Sequence, residues 1–117
     1  MKIAVEAVAI EEVRQRAQAA PEWIRETFSE REMGLVSGQP ERRVWEFLAG
    51  RWAAKRAAWD LLPEAQQSGV EILRDIAGAP VMILARGPLR DHRVHVSIAH
   101  ERKLALAFVV LEEECGQ

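Results

Sequence analysis

Arg51, Lys55, Arg56 and Asp60 fall within one alanine-rich stretch, FLAGRWAAKRAAWDLL, Phe47 to Leu62. Three cations beside an acid suit phosphate chemistry: an arginine offers a planar fork of donors, a lysine a compact charge. On a helix, Arg51 and Lys55 share one face, and Arg56 and Asp60 stand one turn apart. A bare Arg56–Asp60 salt bridge would contribute only about 0.2–0.5 kcal/mol, and its cation-first order is the less favourable one. The other notable acid is Glu6, in the middle of the apolar run Lys2 to Ile10. A carboxylate there is costly unless it is paired, ligated or open to water. His100 and Ser97 close an alternating segment near the C-terminus. A lone histidine at a strand end is more often structural than functional. His92 and His95 read as loop and strand residues.

These side chains need a scaffold, and its elements can be read in order. Lys2 to Ile10 reads as a buried strand that runs into a helix over Glu11 to Ala19. Pro21 opens a short helix, PEWIRETF, as a first-turn proline. Ser29 and Glu32 have the spacing of a capping box. The long helix spans Glu41 to Leu62 and stops at Pro63, with Val44, Leu48, Trp52, Trp59 and Leu62 as its core face. A loop through Ser68-Gly69 leads to a hairpin, Val70–Arg74 and Val81–Ala85, around the turn Ala77-Gly78-Ala79-Pro80. After Gly87-Pro88, Val94 to Ile98 alternates as a strand. Leu104 to Leu111 is a nearly uninterrupted apolar strand, expected at a sheet centre. The order predicts an α+β fold, a long helix packed on a mainly antiparallel sheet. No regular βαβ alternation and no Gly-rich phosphate loop is present.

Composition sets the outer bounds. The chain has 117 residues, 49% hydrophobic and 29% charged, as expected of a single folded domain over 1–117. Its net charge of −2 and the lack of a basic stripe argue against nucleic acid as a partner. The first residues are too short an apolar run, and too charged at Glu6, for a signal peptide or a membrane span. One cysteine, Cys115, excludes an internal disulfide, and no Cys/His metal spacing occurs, so a reducing cytoplasm is the expected setting. The tryptophans Trp23, Trp45, Trp52 and Trp59 read as packing or subunit-interface residues. Arg14, Arg16 and Arg25 offer a basic surface on the early helices, and the tail from Glu112 reads as a frayed end.

Five segments together carry a resemblance. FLAGRWAAKRA resembles the central helix motif of the 4'-phosphopantetheinyl transferases, of the small holo-acyl-carrier-protein synthase type. VSIAHE (Val96–Glu101), FSEREM (Phe28–Met33), ILRDIAGAPVMIL (Ile72–Leu84) and IAVEAVAI (Ile3–Ile10) are similar to further segments of that family, in order and at family spacing. The resemblance implies that coenzyme A, bound with Mg²⁺, gives its phosphopantetheine arm to a serine of an apo acyl-carrier protein. It implies Glu6 as a metal ligand in the place of an aspartate, and Lys55 as a catalytic contact to the diphosphate. It implies Ser97 and His100 as coenzyme-binding residues, while Ala99 removes one hydroxyl; Arg51, on the same helix face as Lys55, is expected to help bind the coenzyme's phosphate. It also implies a homotrimer with coenzyme bound between neighbours, and acidic carrier proteins steered by the basic surface.

The resemblance breaks at two positions. Arg56 stands where the family has a metal-binding glutamate, and arginine cannot coordinate Mg²⁺ because it has no acceptor lone pair. Asp60 stands where the family often has a lysine. Either the charges have traded places, with Asp60 as catalytic metal ligand and Arg56 as cation, or the metal site is lost. In the second case the chain is a non-catalytic homologue that binds coenzyme A or a carrier protein.

Overall fold

The computed structural model describes residues 1–84 and 92–113. The expected strand end at Ala85, the Gly87-Pro88 turn and the tail beyond Glu113 with Cys115 lie outside these residues; Glu112 and Glu113, expected to fray, instead continue the last strand, paired with Arg93 and His92. The elements are β1 (Lys2–Ala9), α1 (Ile10–Ala19), α2 (Pro21–Thr27), α3 (Glu30–Gly34), α4 (Glu41–Leu61), α5 (Ala65–Ser68), β2 (Val70–Arg74), β3 (Pro80–Leu84), β4 (His92–His100) and β5 (Leu104–Glu113). All strand pairing among the described residues is antiparallel, in the α+β arrangement expected. It divides into two sheets rather than one: a three-stranded sheet of order β1-β5-β4 and the β2–β3 hairpin. β5 is central, and its apolar continuity follows from pairing on both edges.

The expected turn chemistry is present. Ser29 accepts from the Glu32 N–H while the Glu32 carboxylate accepts from the Ser29 N–H, closing the capping box that starts α3. In the hairpin, Gly78 takes φ 91° and donates its N–H to the Asp75 carbonyl, while the Asp75 carboxylate accepts from the Ala79 N–H. The segment read as a loop before β2 carries one helical turn, α5, which ends at Gly69 with φ 94°.

Two expectations about burial change. The core face of α4 is built from Phe47, Leu48 and the alanines Ala49, Ala53, Ala54, Ala57 and Ala58, while Val44, Trp52 and Trp59 are only half-buried. Small residues win there because α4 lies directly on the sheet. A Cβ on Gly50 would come 2.6 Å from the Ile98 side chain of β4, so glycine sets that approach. β1 is not buried throughout, because only one sheet face meets α4. Val8, Ala105, Ala107, Val109 and Leu111 point into the core, whereas Ile3, Val5, Leu104 and Phe108 are exposed.

Candidate active site

Lys55, on the buried face of α4, is 3% exposed and fully engaged. Its Nζ donates to Glu32 Oε1 at 2.9 Å and to the Val70 carbonyl at 2.5 Å. Glu32, itself 0% exposed, also accepts from the Ile72 N–H at 2.8 Å and from the Ser29 N–H. One carboxylate thus joins α3, α4 and β2. Burial pushes the Lys55 ammonium below its usual value, and the Glu32 charge opposes that shift. Each polar group of this pair has partners, so Lys55 ties α3, α4 and β2 together, and it also lines a neighbouring cleft. Sequence spacing showed the capping role of Glu32; its second duty, across forty positions to β2, left no local signal.

Glu6, Arg56 and Asp60 do come together. Arg56 Nη2 lies 3.3 Å from Glu6 Oε1, so the guanidinium pairs across to β1. Asp60 hydrogen-bonds the Glu6 carboxyl, and that contact with partial burial raises the pKa of Glu6, while Arg56 pulls it down. Glu6 and Asp60 thus set two carboxyl groups side by side. They are hard oxygen donors of the kind Mg²⁺ takes, usually one or two carboxylates completed by phosphate and water, so the donor set fits that ion. Arg56 is partly exposed, and its pairing with Glu6 is long enough to yield to such a ligand. Among the described residues no group of three or more acidic, histidine or cysteine side chains forms a denser metal site.

Arg51 and His100 meet at a third place. They line a pocket of about 290 Å³ together with Arg43, Arg74, Glu46 and Phe47. Arg51 is 7% exposed, stacks its guanidinium on Phe47 at 4.0 Å and donates Nε to the Ile72 carbonyl at 3.4 Å. Its Nη2 is buried and has no hydrogen-bond partner among the described residues. Arg74 lies over the same ring at 5.4 Å. Burial, reinforced by the Arg74 charge, lowers the Arg51 pKa to about 10, so the group stays cationic at neutral pH. His100 Nδ1 is 3.9 Å from Glu46 Oε2. Arg43 and Arg74 escaped sequence reading because hairpin residue and helix residue meet only in the fold.

The remaining expectations scatter. Ser97 sits opposite Phe108 on the exposed face of β4, away from the pocket that Ile98 and His100 line. Arg14 is bound to Glu11 and Gln18, Arg16 stacks on Trp23, and Arg25 is exposed on α2. Arg51 and Arg56 stand about 140° apart around α4 at roughly 100° per residue, and Asp60 is about opposite Arg51. The carboxylate pair and the arginine pocket therefore face different sides of one chain.

The family model described as the 4'-phosphopantetheinyl transferase N-terminal domain matches residues 31–110. The chain belongs to the 4'-phosphopantetheinyl transferase family. A holo-[acyl-carrier-protein] synthase of Bacillus mycoides is 30% identical over 94% of this chain and 93% of its own. The transferase fold is also shared with solved structures. One is a holo-(acyl-carrier-protein) synthase from Bacillus anthracis in complex with CoA (3',5'-ADP), at TM-score 0.82 and 27% identity over 96% of each chain. Another is the acyl carrier protein synthase of Mycobacterium tuberculosis, at TM-score 0.70 and 28% identity over 95% of this chain and 96% of its own. No helix among the described residues is long and apolar enough to cross a membrane.

Proposed function

We propose that the protein transfers the 4'-phosphopantetheine arm of coenzyme A to a serine of an apo acyl-carrier protein. The observation that carries this reading is the buried, partly unpaired Arg51 in a pocket with Arg43, Arg74 and His100. A guanidinium held out of water with a free donor suits an anion, and the nearby Arg74 charge adds to that preference. A phosphate of the coenzyme supplies that charge. The Bacillus anthracis relative, solved with CoA (3',5'-ADP), supports the choice.

In the transfer, the serine oxygen forms a bond to the phosphorus that carries the arm. The bridging P–O bond breaks, the serine proton passes to solvent water, and adenosine 3',5'-bisphosphate leaves with the electron pair. Such a reaction asks mainly for positioning and for positive charge on the phosphate oxygens. Glu6 and Asp60 would hold Mg²⁺, which when bound supplies that charge at the diphosphate. Arg56, half-exposed beside them, adds a fixed cation once Glu6 turns to the metal. Arg51 and His100 anchor the other end of the nucleotide.

The opposed directions of the two clusters support a homotrimer, in which the carboxylates of one chain face the arginine pocket of the next. The apolar outer sheet face supports the same assembly. The Arg56–Glu6 ion pair favours a second reading, a homologue that binds coenzyme A without turning it over. Incubation with coenzyme A, Mg²⁺ and an apo carrier protein separates them. A carrier that gains the phosphopantetheine mass supports the transferase; retained coenzyme binding with an unmodified carrier supports the second reading.

A further inference from the structure

Glu6 is engaged from two sides. Asp60 hydrogen-bonds its carboxyl, and Arg56 Nη2 faces its Oε1 at 3.3 Å. A tight contact between a guanidinium and a carboxylate measures about 2.7–2.9 Å, so this one is loose. The Arg56 side chain is 43% exposed and that of Glu6 20%, so water screens the pair and folding gains little from it. Stability therefore does not explain why a permanent cation stands against the two acids best placed to receive Mg²⁺.

Guanidinium and metal compete for the same oxygen. A donor at Glu6 Oε1 occupies a lone pair that a divalent ion would use, and two cations on one carboxylate repel. Mg²⁺ also gives up water reluctantly, and it settles on one or two carboxylates mainly when phosphates complete its shell. On the bare chain Arg56 thus tips a marginal site against the metal. A diphosphate reverses the balance, because its oxygens can accept from the guanidinium and bridge the metal together. The side chain has room to make that move: Arg56 lines a hollow of about 330 Å³ with Val8, Val13, Glu12 and Arg16. Arg16 lies over the Trp23 and Trp52 rings at 4.5 and 5.5 Å, so it is Arg56 that reaches the carboxyl groups.

We propose that Arg56 keeps Mg²⁺ off Glu6 and Asp60 until a diphosphate draws the guanidinium away, so that metal and coenzyme A strengthen each other's binding. The inference rests on the functional reading above, which puts the diphosphate beside these three residues. By linkage, the factor by which coenzyme A raises the affinity for the metal equals the factor by which the metal raises the affinity for coenzyme A.

Binding alone tests it, without turnover. Calorimetry gives the affinity for coenzyme A, and for adenosine 3',5'-bisphosphate, which has no diphosphate, in Mg²⁺ and in a chelator. Mn²⁺ titration of the bare protein, followed by electron paramagnetic resonance, gives the affinity for a metal on its own. In the parent, Mg²⁺ is expected to tighten coenzyme A about 30-fold and to leave the bisphosphate within about twofold. In Arg56→Gln, Mn²⁺ should bind the bare protein about tenfold tighter, and the Mg²⁺ effect on coenzyme A should shrink to about threefold. Arg56→Lys, which keeps the charge, should behave as the parent does. Equal Mn²⁺ affinity in parent and Arg56→Gln, or an undiminished Mg²⁺ effect in that variant, would overturn the proposal. Should the variants fail to fold, the parent decides: the same Mg²⁺ effect on both ligands overturns it. A parent that binds no coenzyme A in either buffer overturns the functional reading, and this inference falls with it. A parent that binds coenzyme A equally with and without Mg²⁺ overturns this inference alone.

Discussion

Lys55 and Glu32 show how a matched motif residue can serve the fold. Removing one partner of a buried pair leaves the other charge uncompensated, at a cost of about 3–5 kcal/mol. Lys55→Met is therefore expected to lower unfolding free energy by about that amount in urea titrations, with Glu32 left as a buried anion. A Lys55→Met protein as stable as the parent would mean that the pair is not closed in solution. Asp60 belongs to the opposite category. Its carboxylate meets Glu6 near the surface, where folding gains little from it. Asp60→Ala should leave urea stability within about 0.5 kcal/mol, as for other surface changes. It should reduce metal-dependent transfer by about 100-fold or more, as loss of a charge-stabilising group does. Undiminished turnover in Asp60→Ala would remove Asp60 from the metal site.

At the scale of elements, two contacts position α4 and the hairpin. Gly50 lets α4 approach β4, so Gly50→Ala drives a methyl group into Ile98 and is expected to cost about 1–3 kcal/mol by overpacking, measurable by urea unfolding. Arg31 on α3 pairs with Glu71 on β2, Nη2 to Oε1 at 2.5 Å. That bond, with a further one from Ser29, holds the Glu71 carboxyl below its ordinary value of 4.5. A depressed folded pKa gives stability that is present above the unfolded value and lost as pH falls through the folded one. Glu71→Gln should therefore melt lower than the parent at pH 7, and the gap should close as pH drops below about 4.5. A gap that persists at pH 3 would assign the effect to something other than this ion pair. The elements themselves were legible in the sequence, because capping boxes, turn glycines and strand alternation are local signals: Ser29–Glu32 and the Asp75–Ala79 turn lie where their residue types require. The faces were less so. Trp52 and Trp59 outweighed the alanines in a reading by hydrophobicity, yet close approach to a sheet selects small residues. The candidate site was legible only in part for the same reason. Glu6 and Asp60 meet as their types suggested, whereas Arg43 and Arg74 join Arg51 through tertiary contacts with no sequence period.

At the scale of the whole molecule, one side of the three-stranded sheet is left without cover. Ile3, Val5, Leu104 and Phe108 are 60%, 49%, 42% and 45% exposed, and Val5 pairs directly with Phe108 across the β1–β5 ladder. A contiguous apolar surface on a sheet face marks an interaction site more often than a solvated one. The arginine pocket and the carboxylate pair lie on opposite sides of α4, and in the proposed homotrimer each coenzyme meets one of them from each of two neighbouring chains. In the proposed assembly, association through the open sheet face and completion of the site between chains would be two consequences of one geometry. Phe108→Asp places a charge in the middle of that face, where an isolated chain would tolerate it and an assembled one would not. The expected outcome is a shift from trimer to monomer in sedimentation velocity, accompanied by loss of coenzyme A binding although no residue of either cluster has been touched. Arg25→Ala, on an exposed helix outside the sheet face, should leave the sedimentation coefficient unchanged. A parent that sediments as a monomer, or a Phe108→Asp protein that is monomeric yet binds coenzyme A at full strength, would separate the two consequences and place the whole site within one chain.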